Sequence, residues 1–251
     1  MAASPANDPY FGEYRYATMR KDIGPTGKIS TNGDGKKSLD QTESCYPAKL
    51  LEYGKKIAKN FAAFDNTLAI VVANEIMQKD LTAAACVKQY ISDLKNWMRV
   101  NGSKMRLIPL AFAIADSAFD GGDPNSDAYG ALKLQGLLCG DVQRNGNMFQ
   151  SVDIFLVNAY RWCEGSTFDE AYARIVTWTS GAPVVIAMGE YGCKNTRSDT
   201  RSYDMVPYLF GSNSNNQDMH EIFSGGTAYS YGQAQQGDTA GFPLFLGTFL
   251  Y

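Results

Sequence analysis

The chain has 251 residues, enough for one large domain or two small ones and ample to bury a core. Its 23 Lys+Arg against 26 Asp+Glu leave a net charge of −3, too even for a nucleic-acid binder, which would carry a basic stripe; 45% hydrophobic and 12% aromatic residues exclude a disordered chain. The longest apolar runs, at 107–115 and 183–188, fall well short of the roughly 20 residues that a membrane-spanning helix needs.

Residues 1–46 are polar and crowded with turn formers, among them Pro5, Pro9, Gly24, Pro25, Gly27, Gly33 and Gly35, and read as a loop or insertion ahead of a folded region at 47–251. The opening Met-Ala-Ala-Ser-Pro has no basic region followed by an apolar stretch and is no signal peptide. From 47 to 61 Leu50, Leu51, Tyr53, Ile57, Ala58 and Phe61 recur at helical spacing. The run from Thr67 to Ala73 is apolar without alternation, as a parallel strand buried on both faces should be. The same alternation continues: helix at 81–100, strands at 105–115 and 152–159, helix at 167–179, strand at 183–188, a short helix at 203–210 and a last strand at 226–231. Strands alternating with helices imply right-handed crossovers and a parallel sheet. No GxGxxG and no P-loop follows any strand, which removes support for a nucleotide-binding doubly wound fold and favours a (β/α) barrel.

In such a barrel the active site lies at the C-terminal ends of the strands, so the informative residues are those on which each apolar run stops. The first run stops at Asn74-Glu75, the second at Asp116, the third at Asn158-Ala159-Tyr160-Arg161-Trp162, the fourth at Gly189-Glu190-Tyr191 and the last at Tyr229-Ser230-Tyr231. Two glutamates therefore end different strands among Asn, Tyr and Trp side chains. Glycoside chemistry needs one carboxyl group that donates a proton to the leaving oxygen and one that attacks the anomeric carbon, about 5 to 5.5 Å apart when the configuration is retained. Glu75 and Glu190 suit those two parts. Asn74 can hydrogen-bond a sugar 2-hydroxyl, and a tyrosine near Glu190 can donate to it and keep it ionised. A lone strand-end glutamate is ordinarily a loop carboxylate or an ion-pair partner; two together, each closing an apolar strand, are what raise the catalytic reading above that one. Trp162 and Phe168 read as packing.

The ordered pieces Ala73-Asn74-Glu75, Arg106-Leu107-Ile108-Pro109, Cys139-Gly140, Asn158-Ala159-Tyr160-Arg161-Trp162-Cys163, Gly189-Glu190-Tyr191-Gly192-Cys193 and 223–231 together resemble glycoside hydrolase family 72, the β-1,3-glucanosyltransferases that remodel fungal and related cell walls. The resemblance implies a (β/α)8 TIM barrel of the retaining type, with Glu75 as acid/base and Glu190 as nucleophile. It implies substrate contacts from Asn74, Asp116, Tyr160 and Tyr229 or Tyr231, with no cofactor or metal. The reaction implied is cleavage and re-ligation of cell-wall β-1,3-glucan through a covalent glycosyl-enzyme, in an extracellular or cell-wall setting with a possible lipid anchor in the full-length form. The family barrel begins with three strand–helix units ahead of the Asn-Glu strand that have no counterpart here. The expectation is thus an incomplete barrel of about strands four to eight in a truncated chain; the alternatives are a glucan-binding remnant without catalysis or an endo-β-glucanase of the same clan.

Five widely spaced cysteines without a CxxC could form two disulfides and leave one over, or remain five buried thiols. Asp123-x-Asn125-x-Asp127 resembles the start of a calcium loop but has Ala128 where an EF-hand needs Gly and Leu134 where it needs Glu. Asn101-Gly102-Ser103 is a glycosylation sequon if the chain is secreted. His220 is the only histidine, which argues against a Ser-His-Asp triad, and reads as a surface residue.

Overall fold

In the computed structural model the residues described are 28–31, 37–40, 48–76, 84–102, 104–116, 126–138, 143–144, 147–148, 152–163, 165–193, 203–211 and 219–229. The elements in chain order are β1 (Lys28–Thr31), β2 (Lys37–Asp40), α1 (Ala48–Phe61), β3 (Ile70–Asn74), α2 (Ala84–Val100), β4 (Leu110–Ala115), α3 (Ser126–Leu138), β5 (Gln143–Arg144), β6 (Asn147–Met148), β7 (Ile154–Ala159), α4 (Phe168–Ala171), α5 (Ala173–Thr179), β8 (Val185–Tyr191), α6 (Val206–Phe210) and β9 (Phe223–Ala228). The principal sheet has the order β3-β4-β7-β8-β9, and its β3–β4 and β8–β9 pairs are parallel. Strand order follows chain order with no reversal. A doubly wound sheet has a switch point where the order reverses, whereas consecutive βα units of a barrel do not, so this is a partial (β/α) barrel. Within residues 1–46, expected as loop, β1 and β2 form an antiparallel ladder.

The described residues fall into two compact units, one within Met1–Ala115 and Ala131–Phe155 and the other within Asp116–Gly130 and Leu156–Tyr251. In the first, α1 buries Leu50, Ile57 and Ala58, and α2 buries Ala84, Val87, Tyr90, Ile91, Leu94 and Met98, each set recurring at helical spacing. The ring of Tyr90 is fully buried and its hydroxyl donates to the Leu50 carbonyl oxygen at 3.3 Å. Strand β4 is buried along Leu110–Ile114, as a strand covered on both faces should be. Asp153 ties α2 to this strand. Its carboxylate accepts from the Leu110 N–H at 2.8 Å and from Lys95 Nζ at 2.6 Å, while its own N–H donates to the Leu110 oxygen.

Both apolar runs in this unit begin before their strands do. At 67–69 and 105–109 the backbone is instead stapled by the Arg106 guanidinium, which donates to the carbonyls of Phe64 at 2.9 Å and Thr67 at 2.7 Å. Pro109 has no N–H to give a ladder, and the pairing starts where the Ile70 N–H meets its carbonyl. Leu68 and Leu107, which made the runs look longer, are exposed.

In the second unit the expected helix at 167–179 is two pieces. Thr167 caps α4 in a capping box with Glu170, and the helical path breaks at Tyr172 before α5 starts. Strand β8 runs through Glu190 to Tyr191 instead of stopping at Met188, and β9 starts at Phe223, earlier than expected. Helix α3 escapes the periodicity reading. Its buried positions Gly130, Lys133, Leu134 and Leu137 form a helical stripe, but a glycine and a lysine occupy half of it. Gly130 is required by the close approach of Trp178, whose ring would stand 2.8 Å from an added Cβ. His220 is exposed.

Gly54 lies in α1 where an alanine Cβ would come within 2.0 Å of the Tyr90 hydroxyl. Gly-to-Ala in a helix ordinarily stabilises by up to about 1 kcal/mol. Here overpacking should prevail, so Gly54→Ala is expected to destabilise by about 1–3 kcal/mol in urea unfolding. The Tyr90→Phe background, which removes the clashing oxygen, should recover part of that loss; equal losses in both backgrounds would show that the oxygen is not the cause.

Candidate active site

Asn74 is the last residue of β3 and Glu75 follows it in the first unit. The β3–β4 register shifts between Val71 and Ala73, immediately before this pair. Bulges of this kind re-aim side chains and cluster near active sites. Glu75 has φ 57°, and among the described residues it is the one non-glycine with positive φ. This conformation costs a non-glycine residue of order 1–3 kcal/mol, so surrounding contacts must hold it; one is the Glu75 N–H donating to the Ala113 carbonyl at 2.9 Å.

The second unit brings together most of the other expected site residues. Glu190 lies in β8 within another register-shifted stretch, between Met188 and Tyr191. The Tyr160 hydroxyl, one residue past the end of β7, donates to Glu190 Oε2. The ring of Tyr160 meets that of Tyr229 edge-on, with centroids 5.9 Å apart. Tyr229 is fixed in turn where its N–H donates to the Tyr191 carbonyl at 3.0 Å, just past the end of β9. Tyr231, the other tyrosine expected to contact substrate, lies outside the described residues.

Asp116 follows β4 and is 3% exposed; its N–H donates to the Asn158 carbonyl at 2.8 Å. The Arg161 guanidinium grips its carboxylate on both oxygens, through Nε to Oδ2 and through Nη2 to Oδ1 at 2.5 Å. The resemblance implied a substrate contact for Asp116; in the structure its carboxylate is engaged by this fork. Sequence reasoning named Arg161 only as part of a motif. The signal available was its position beside Tyr160, with a buried-strand carboxylate elsewhere in need of a partner.

Trp162 and Phe168 are buried and pack as expected. Trp162 lies 5.4 Å from the Tyr172 ring and 4.6 Å from that of Tyr208 by centroids, and Phe168 stacks on Tyr208. Cys163 and Cys193 form a disulfide, joining the segment after β7 to the segment after β8. The Tyr160–Glu190 pair is thus bracketed by a covalent link between the two segments that carry it. Cys45 and Cys139 lie outside the described residues.

A fully buried phenol underlies this cluster. The Tyr172 hydroxyl has no hydrogen-bond partner among the described residues, and burial, reinforced by the Asp116 carboxylate and, once it ionises at high pH, the Tyr191 phenol, pushes its pKa far above the ordinary value. It therefore stays protonated in the fold.

The sequence profile of one family, described as Glucanosyltransferase, matches residues 29–239. Among curated proteins the chain is 28% identical over 192 residues to the 1,3-beta-glucanosyltransferase GAS4 of Saccharomyces cerevisiae, covering 75% of this chain and 36% of that protein. It is 29% identical over 187 residues to the 1,3-beta-glucanosyltransferase gel1 of Aspergillus fumigatus, covering 73% and 36%. Among solved structures it is similar to Gas2p of Saccharomyces cerevisiae in complex with laminaritetraose and laminaripentaose, with a TM-score of 0.59 and 25% identity over 75% of this chain and 38% of that one. The chain thus spans little more than a third of the length of these relatives.

Two outcomes are expected. Replacing Cys163 and Cys193 together by Ser should cost about 3–4 kcal/mol, the loop-closure value for the 30-residue separation, and reduction of the unmodified protein should reproduce the loss; an unchanged urea midpoint would contradict it. Because the folded pKa of Tyr172 is raised, its contribution to stability is fully present below about pH 10 and falls as pH rises beyond that, by about 1.4 kcal/mol per pH unit. Tyr172→Phe should therefore leave stability at pH 7 equal or higher, since an unsatisfied buried hydroxyl is lost, and should make the alkaline decline shallower in unfolding measured at pH 7 and pH 10.5.

Proposed function

This chain belongs to glycoside hydrolase family 72, the glucanosyltransferases, and we propose that it carries the catalytic glutamates of a retaining β-1,3-glucan transglycosidase. Glu190 attacks the anomeric carbon while Glu75 gives its proton to the departing glycosidic oxygen, leaving a glycosyl ester on Glu190 and a new free chain end. Glu75, now ionised, takes the proton from a hydroxyl of a second glucan as that oxygen displaces Glu190. The configuration is inverted twice and so retained, which requires the two carboxyl groups about 5 to 5.5 Å apart. Water can replace the second glucan, and the outcome is then hydrolysis.

The observation that carries the reading is the Tyr160 hydroxyl donating to Glu190 at the C-terminal end of a parallel strand. A hydrogen bond given to a carboxylate favours its charged form, the form a nucleophile needs. Asn74, beside Glu75, is assigned to the sugar 2-hydroxyl, and Tyr229 and Tyr231 to the faces and hydroxyls of glucose rings. The region 47–251 is assigned to the catalytic barrel, with residues 1–46 joined to it as an insertion. The relatives named as 1,3-beta-glucanosyltransferases, and Gas2p with its bound laminari-oligosaccharides, favour β-1,3-glucan as partner. An extracellular or cell-wall location is supported by the Cys163–Cys193 disulfide, since such bonds persist in oxidising compartments. Lipid anchoring of the full-length protein belongs to the same reading.

The test is incubation of the protein with reduced laminari-oligosaccharides and product sizing. Products longer than the donor are expected, and Glu75→Gln and Glu190→Gln should each lower turnover by about 10²-fold or more. Shorter products alone would make it an endo-β-glucanase. Binding to insoluble β-1,3-glucan without turnover, unaffected by either substitution, would make it a glucan-binding remnant.

A further inference from the structure

Asp116 and Arg161 form a buried pair at the end of β4 and just past the end of β7, with 1% and 12% of their side chains exposed. Taking two charges out of water is expensive, and a hydrophobic pair of the same volume is often as stable, so the pair is poorly explained as a stabilising contact. Its geometry suits a different task. The guanidinium engages both carboxylate oxygens, which fixes its direction as well as its position. Asp116 is itself fixed by its N–H on the Asn158 carbonyl. Arg161 is covalently next to Tyr160, whose hydroxyl donates to Glu190.

The chain on the far side of Arg161 is equally constrained. Ser166 Oγ accepts from the Cys163 N–H at 3.1 Å, and Cys163 is bonded to Cys193. Tyr160 therefore sits at the start of a segment held by an ion pair and a disulfide, and its phenol can meet Glu190 with little freedom left to lose.

We propose that Asp116 is a positioning residue for the nucleophile: through its two-pronged pair with Arg161 it holds the Tyr160 hydroxyl on Glu190, and it does not itself contact the glucan. The inference rests on the assignment of Glu190 as nucleophile for its catalytic meaning, but the contacts among the four side chains are present whether or not that assignment holds.

The experiment is a double-mutant cycle on the whole protein. Arg161→Lys keeps the charge and loses the fork; Tyr160→Phe removes the hydroxyl through which the pair is argued to act. The Glu190 carboxyl pKa is read by carbon-13 NMR, with kcat/KM against pH measured in parallel. Arg161→Lys is expected to raise the Glu190 pKa by half a unit or more, to move the acidic limb of kcat/KM upward with it, and to lower kcat about tenfold with little change in KM. In the Tyr160→Phe background the same substitution should change each quantity less than twofold, because the link is already cut. Equal effects in both backgrounds would overturn the proposal, as would a rise in KM alone, which would return Asp116 to substrate binding.

The paired replacement Asp116→Leu with Arg161→Met is a second variant that preserves volume without burying an unpaired charge. It should keep its melting temperature within a few degrees and still show the raised Glu190 pKa; an unshifted pKa in this folded variant would overturn the proposal. If the unmodified protein shows no turnover while the pKa coupling is present, the transglycosidase reading fails and the positioning stands. If turnover is normal and the coupling absent, the reverse follows.

Discussion

Parallel pairing, with β4 buried on both faces, is the constraint from which the rest follows. A strand covered on both faces, as β4 is, has no room for polar side chains along its length, so chemistry can appear only where the burial stops. Within a pair of parallel strands, as β3–β4 and β8–β9 are, those stopping points lie at the same end. In the first unit Asn74 and Glu75 stand at the end of β3, and in the second Tyr160, Glu190 and Tyr229 stand at or near the ends of β7, β8 and β9.

The rule also explains what could be read from the sequence. The apolar runs that became β3, β4, β7 and β8 were legible because a largely apolar parallel strand is a compositional signal, and the residues that terminate them were legible with it; β9, Phe-Ser-Gly-Gly-Thr-Ala, carries no such run. Their boundaries were not. Leu68 and Leu107 extend two runs beyond their strands because an exposed leucine looks the same in sequence as a buried one, and the Arg106 staple that excludes them is a contact across some 40 residues. In β8 the strand extends through Gly189 and Glu190, since the ladder depends on backbone pairing with β9 and does not require apolar side chains.

Helix α3 failed to show for a related reason. Periodicity assumes that a buried position holds an apolar residue, whereas α3 buries Gly130 under Trp178 and Lys133 among its stripe. The ladder of β1 and β2 lies in a stretch whose polar, turn-rich composition gives no period. At the site, the residue types were legible and their partners were not. Glu190 and Tyr160 could be named from strand ends and motif, but the engagement of Asp116 by Arg161 needs the strand β4 to end beside the chain that leaves β7, and local sequence does not contain that fact.

Backbone geometry helps to hold Glu75, and a side-chain hydrogen bond helps to hold Glu190. Glu75 is placed by its backbone, in a left-handed conformation maintained after a register shift and by a hydrogen bond from its own N–H. Glu190 is placed at least in part through its carboxylate, which accepts from Tyr160. A hydrogen bond to the charged form strengthens with charge, so the arrangement favours the ionised side chain before attack and after the ester is displaced. The hydrogen bond from Tyr160 accords with the part of nucleophile proposed for Glu190, while the backbone contacts of Glu75 fix where its side chain departs from the chain and leave its proposed part to the kinetic test.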